Sequence, residues 1–157
     1  MRASSILLAM LLASLAALAA ALLSQHVFGM RPCPWCIFQR LVLVAIALAC
    51  ALGLVWRSAV GRSVGATLAM VLALGGLAAA LWQHFVASAS DACNLTFADR
   101  VIEALQLAYL APALFEPRAS CADAAVRLLG LPYEAWSGAL FALLVLAGWR
   151  VLQARRA

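Results

Sequence analysis

Apolar residues run in long stretches along this chain, and polar residues collect between them. Ile6 to Leu23 is an 18-residue run broken only by Ser14. At the α-helical rise that run is about 27 Å long, close to the roughly 30 Å hydrocarbon thickness of a bilayer. A cleaved signal peptide is the rival reading, because Arg2 and Ala19-Ala20-Ala21 would suit one. The apolar part exceeds the roughly 7–15 residues of a signal core, and more runs follow, so it reads as a first span. The second run, Ile37 to Trp56, is interrupted only near its start by Gln39 and Arg40. The third, Val64 to Trp82, carries no charge, and the fourth, Trp136 to Leu152, carries Ser137 and ends around Trp149 and Arg150. Tryptophans at the run boundaries (Trp35, Trp56, Trp82, Trp136, Trp149) match an interfacial aromatic belt. The pattern predicts an all-α membrane protein: one domain over residues 1–157, a four-helix transmembrane bundle with spans near 6–23, 37–56, 64–82 and 136–152.

Between the third and fourth runs lies one long loop, 83–135, with a shorter one at 24–36. Thr96-Phe97-Ala98-Asp99 has the pattern of a capping box. After it, Phe97, Val101, Ile102, Leu105, Ala108 and Tyr109 share one helical face. Such a short amphipathic helix would lie on the bilayer surface or against the bundle. Ser120-Cys121-Ala122-Asp123 repeats the capping pattern, and Gly130 with Pro132 is expected to close a second short helix. That would put Cys121 at a helix N-terminus, a position that favours thiolate.

Composition strengthens the membrane reading. The chain is 68% hydrophobic and 11% charged, with a mean hydropathy of +1.04, whereas soluble domains are about 45–50% apolar. The net charge of +5 might suggest nucleic acid on a soluble protein, but here the arginines sit at the ends of apolar runs, and nucleic-acid binding is not expected. Arg2, Arg57, Arg62, Arg150, Arg155 and Arg156 occupy the terminal segments and the loop between the second and third runs, with no acid among them. All six acids lie in the 83–135 loop. Basic residues in short loops mark the cytoplasmic side, so both termini are expected there. The two remaining loops then face the outside, which in a bacterium is the periplasm, where thiols are driven toward disulfides.

The candidate chemistry is sulfur. In Cys33-Pro34-Trp35-Cys36, proline suits the first position of a helix and the residue before it the N-cap. Residues three apart on a helix are neighbours within disulfide reach, and the positive end of the helix favours thiolate. Arg40 lies one turn beyond Cys36, where it could stabilise a thiolate or bound anion, or simply anchor the helix among headgroups. Five cysteines cannot all pair within one chain. Four share the predicted outer face and permit three connectivities. Local geometry favours Cys33 with Cys36, leaving Cys93 with Cys121, while Cys50 reads as a buried small residue. A Cys93–Cys121 link over 27 intervening residues could be structural, worth roughly 3–4 kcal/mol, and a four-cysteine zinc site is a further option, though such sites usually show two short cysteine pairs. No metal is assigned. No phosphate-cradling glycine motif appears, so with two disulfides able to exchange on one surface, a lipid-soluble quinone is the natural electron sink.

Four spans, a CxxC opening the second, an arginine four residues later and a cysteine pair in the second outer loop resemble the DsbB family of bacterial disulfide bond formation proteins. The landmarks are Cys33 to Arg40, Trp82-Gln83-His84, Cys93, and Cys121 through Leu129-Gly130-Leu131 to Trp136. The resemblance implies an inner-membrane thiol oxidase that reoxidises a DsbA-like thioredoxin-fold protein and passes electrons to ubiquinone or menaquinone. It also implies that Cys93 forms the mixed disulfide with that partner. Cys121 would then attack the Cys33–Cys36 disulfide at Cys33, and Cys36 would become the thiolate facing the quinone. Arg40 would hold the quinone, and His84 is a second candidate for its site. Two alternatives stand beside it. One is a quinone reductase resembling the vitamin K epoxide reductase family, whose CxxC sits on the last span rather than the second. The other is a non-catalytic membrane protein with structural or metal-binding cysteines.

Overall fold

The computed structural model describes residues 3–87, 96–124 and 126–154, so the expectations placed on Cys93 lie outside the described residues. Four long helices dominate: α1 (Ala3–His26), α2 (Pro34–Val55), α3 (Ala59–Phe85) and, after the long loop, α7 (Tyr133–Gln153). All four are long and apolar enough to cross a membrane. The fold is the expected all-α four-helix bundle, but α2 and α3 begin before their apolar stretches, because caps, not hydropathy, set where they start. Ser58 caps α3 by accepting a hydrogen bond from the Gly61 N–H, six residues before the apolar run begins at Val64.

Packing runs around a ring. α3 lies between α2 and α7, while α1 closes on α2 and more lightly on α7. The buried positions of α3 are Gly61, Ser63, Gly65, Ala66, Ala69, Ala73, Gly76, Ala79, Ala80 and Gln83. Such small side chains let helix backbones approach closely, which is how apolar helices associate where no hydrophobic driving force acts. A Cβ on Gly65 would lie 2.7 Å from the Ala49 carbonyl oxygen, and one on Gly76 would enter the Phe141 ring. The core of the bundle gathers Leu7, Ile46, Cys50, Ala69 and Phe141, and Cys50 sits there as a buried small residue, as expected.

The long loop holds short elements at the end of the bundle where α2 begins: α4 (Phe97–Ala104), α5 (Leu107–Leu110), α6 (Pro112–Phe115), β1 (Arg127–Leu128) and β2 (Leu131–Pro132). The capping box at Thr96 and Asp99 forms with both reciprocal hydrogen bonds. α4 packs on α2 through buried Ala98 and Ile102. The expected continuous face does not extend to Tyr109. The helix stops at Leu105, and Gln106 turns left-handed (φ 50°). The reversal lets Phe115 bury against Ile37 and Ile102 and leaves Tyr109 and Leu110 exposed.

The second expected loop helix is also corrected. Ser120 and Asp123 do make the capping contacts, but residues 121–124 form only a turn, and β1 pairs antiparallel with β2 beyond it. Leu129 (φ 54°) and Gly130 (φ 83°) fill the two-residue turn, both at the positive φ that a tight hairpin needs. Gly130 therefore turns a hairpin rather than ending a helix. Trp136 Nε1 donates to the Leu128 carbonyl at 3.2 Å, holding the hairpin onto α7.

Candidate active site

The site begins with the cap of α2. Cys33 is extended (φ −85°, ψ 166°), Pro34 is the first helical residue, and the Cys36 N–H donates to Cys33 Sγ at 3.4 Å. The two sulfurs are 3.0 Å apart, as free thiols. Proline fixes φ near the helical value and has no N–H to leave unpaired at that position, so the motif's own composition builds this geometry.

Cys121 joins them from the loop. The Arg118 N–H donates to the Pro32 carbonyl at 2.9 Å, tying the chain just before Cys121 to the segment just before Cys33. Cys121 then packs with Cys33, Trp35, Ala79, Ala87 and Ala98. Its sulfur is hydrogen-bonded by the Cys33 thiol and by the Trp35 backbone N–H. The Cys33 bond, foremost, lowers the Cys121 pKa against the opposing effect of burial. Cys33 shows the converse. Its bond to Cys121, then its bond to Cys36 and its burial, raise its pKa. Between the two, the contact favours thiolate at Cys121 and thiol at Cys33. Cys121 is not on a helix N-terminus of its own, but its sulfur reaches that of α2.

Arg40 projects inward and is 6% exposed. Nη1 donates to Gln25 Oε1 at 2.7 Å and to the Leu114 carbonyl at 3.1 Å, and Nη2 to the Ala21 carbonyl at 3.2 Å. These partners come from α1 and α6, so the guanidinium joins three elements. All are neutral, and among the described residues no carboxylate pairs with it. A guanidinium buried among protein carbonyls is not one resting among lipid headgroups. One residue earlier, Gln39 Nε2 donates to Gln83 Oε1 at 2.7 Å, and Gln83 Nε2 donates to Cys36 Sγ at 3.3 Å.

These groups share a cavity of about 300 Å³. Cys36, Arg40 and Gln83 supply part of its polar wall, and Ala17, Leu43 and Leu140 part of its apolar one. Cys33 and Cys121 are outside the lining, and so is His84. Instead, His84 Nδ1 lies 3.0 Å from Glu134 Oε1, and Glu134 lines the cavity. Among the described residues no group of three His, Cys, Asp or Glu side chains is arranged to hold a metal. The cavity suits a planar, largely apolar ring whose oxygen accepts hydrogen bonds and gains negative charge on reduction. A quinone headgroup fits that description, and Arg40 and Cys36 on the cavity wall are the cation and the sulfur that it would meet. Gln25, Gln39 and Glu134 were not singled out from the sequence. Their available signal was a polar side chain within or at the edge of an apolar run.

A family model described as disulfide bond formation protein DsbB matches residues 3–151. A disulfide bond formation protein B of Herminiimonas arsenicoxydans is 34% identical over 142 residues, covering 90% of this chain and 89% of the relative. A disulfide bond formation protein B 1 of Pseudomonas savastanoi pv. phaseolicola is 36% identical over 132 residues, 82% of this chain and 77% of the relative. One of Pseudomonas aeruginosa, also named disulfide bond formation protein B 1, is 30% identical over 146 residues, 90% and 88% of the two chains.

Proposed function

The chain belongs to the DsbB family of disulfide bond formation membrane proteins, and from that premise we propose that it is a quinone-dependent thiol oxidase of the bacterial inner membrane. It reoxidises a DsbA-like periplasmic dithiol protein through two cysteine pairs. The observation that carries the reading is the division of labour around Cys33. Cys121 lies against its sulfur on one side, while Cys36, 3.0 Å away, faces a cavity with Arg40.

Cys93, of the Cys93–Cys121 disulfide, accepts the partner's attacking thiolate, and Cys121 leaves. A Cys121 thiolate beside Cys33 is placed for attack on that sulfur of a Cys33–Cys36 disulfide. The new bond joins Cys121 to Cys33, and Cys36 leaves as a thiolate. The Trp35 N–H and the α2 dipole stabilise the Cys121 thiolate before attack, and the Gln83 amide accompanies the Cys36 sulfur. The partner's second thiol then releases Cys93, which recaptures Cys121 and returns Cys33 to the thiol form. Ubiquinone or menaquinone, when bound in the cavity, supplies the two-electron oxidant for the Cys33–Cys36 dithiol. Arg40 would hold the oxygen that gains charge, because its neutral hydrogen-bond partners leave its own charge uncompensated. Overall, one partner dithiol loses two electrons and two protons and becomes a disulfide.

The test is spectroscopic reduction of a soluble quinone by the purified protein, with a reduced DsbA-like protein as donor. Turnover is expected from the parent protein and none from Cys36→Ser. Full turnover by that variant, or stoichiometric zinc with no mixed disulfide trapped by Cys121→Ser, would refute the assignment and favour structural or metal-binding cysteines.

A further inference from the structure

Reoxidation of a Cys33 thiol and a Cys36 thiolate releases two electrons but only one proton, whereas reduction of a quinone to quinol takes up two of each. Written in full, Cys33–SH, Cys36–S⁻, quinone and one proton give the Cys33–Cys36 disulfide and quinol. Of the two protons the partner dithiol gave up, one is held by the Cys33 thiol, and the other has gone to water and has to be returned from outside. An apolar pocket needs a titratable side chain to bring it in.

We propose that Glu134 and His84 form that inlet, with Glu134 protonating the reducible carbonyl compound in the cavity and His84 recharging Glu134 from outer water. This deepens the thiol-oxidase reading and rests on it. Glu134 is 7% exposed, and its carboxylate faces outward to His84, whose side chain is 44% exposed. Nδ1 and Oε1 are 3.0 Å apart, close enough for direct proton transfer. The same Glu134 lines the cavity that Cys36 and Arg40 line. One member of the pair therefore touches the site, and the other is half-exposed in the last turn of α3, at the cysteine end of the bundle. The remaining titratable groups lining the cavity are Arg31, Asp123 and Tyr133. Guanidinium and phenol side chains are not the general acids that carboxyl and imidazole groups are, which sets Arg31, Arg40 and Tyr133 aside. Asp123 is hydrogen-bonded to Ser120 through both its carboxylate and its backbone N–H, which leaves it a turn-forming role. A simpler task for Glu134 would be to complement the positive end of α7, whose first turn it occupies, or to tie α3 to α7. Neither task requires a proton to move.

Single-turnover mixing separates these roles. The full-length protein is fully reduced without quinone and mixed with a soluble short-chain ubiquinone, and quinone loss and disulfide formation are followed together. Glu134→Gln keeps a hydrogen-bonding group of the same shape but cannot donate a carboxyl proton. It is expected to slow the step by roughly 10²-fold, a typical share for general-acid catalysis. Quinone affinity, read by tryptophan quenching in protein whose cysteines are oxidised, is expected to change less than threefold. His84→Ala is expected to slow the step similarly and to be rescued by imidazole in the buffer, which cannot rescue Glu134→Gln. Rates within twofold of the parent for Glu134→Gln, or a His84→Ala defect that imidazole leaves untouched, would overturn the inlet. Failure of the parent protein itself to reduce quinone would instead strike at the thiol-oxidase reading.

Discussion

Cys121 and Cys33 share one hydrogen bond and experience it oppositely. The Cys33 bond lowers the pKa of Cys121, whereas the same contact raises that of Cys33. A lowered pKa leaves thiolate present at pH values where an ordinary cysteine, near 8.5, is still protonated, and a raised one keeps the thiol protonated above that value. Since only thiolate reacts with alkylating agents, Cys121 of reduced protein titrated downward from about pH 9 should keep labelling to lower pH than an ordinary cysteine does. Cys33, also fully buried, should stay unlabelled throughout, as read by peptide mass spectrometry. Equal labelling of both, falling together with pH, would remove the asymmetry. Arg40 makes a second prediction at this scale. Arg40→His loses the fork of donors and the permanent charge, and is expected to raise the quinone KM about tenfold or more, as loss of a charge-assisted hydrogen bond does. The KM for the protein donor should stay within twofold. An unchanged quinone KM would leave Arg40 as a purely structural tie between α1, α2 and α6.

Among the elements, α3 carries the packing. Its adjacent glycines make a controlled comparison. A Cβ on Gly76 meets the buried Phe141 ring, but one on Gly75 meets nothing within 4 Å. Gly76→Ala is therefore expected to destabilise by about 1–3 kcal/mol, the usual cost of overpacking, whereas Gly75→Ala should be neutral or mildly stabilising through helix propensity. Thermal denaturation in detergent compares the two, and equal midpoints would contradict the close α3–α7 contact. Elements were legible where their signals were local. The Cys33-Pro34 cap and the Thr96 capping box each lie within four residues, and both formed as expected. The hairpin at 127–132 escaped because Leu129 adopts a positive φ that few leucines take. The break at Gln106 escaped because its cause is remote. Phe115 returns to cover Ile37 and Ile102, and no residue near Gln106 announces it.

For the whole molecule, hydropathy was enough to give four helices and their count, because long apolar runs have few other fates. The site was legible in its sulfur and its arginine, whose spacing is helical. The glutamines around them were not, since Gln25–Arg40 and Gln39–Gln83 join different helices and only the bundle brings them together. The arginine distribution supports a further proposal at this scale, with both chain ends in the cytoplasm and the cysteine end of the bundle in the periplasm. In intact cells, a membrane-impermeant thiol reagent should label Cys121 of the reduced protein but leave a cysteine introduced at Ser58 unlabelled. The opposite pattern would invert the topology.

The sulfur relay itself is tested most directly by trapping it. A DsbA-like donor whose resolving cysteine is replaced by alanine is mixed with the oxidised protein, quenched in acid, and mapped for disulfides by mass spectrometry. The account predicts a donor–Cys93 link, a Cys121–Cys33 link and a free Cys36 in the same molecule. A trapped complex in which Cys33 remains joined to Cys36 while Cys121 is free, or in which Cys121 joins Cys36, would contradict it.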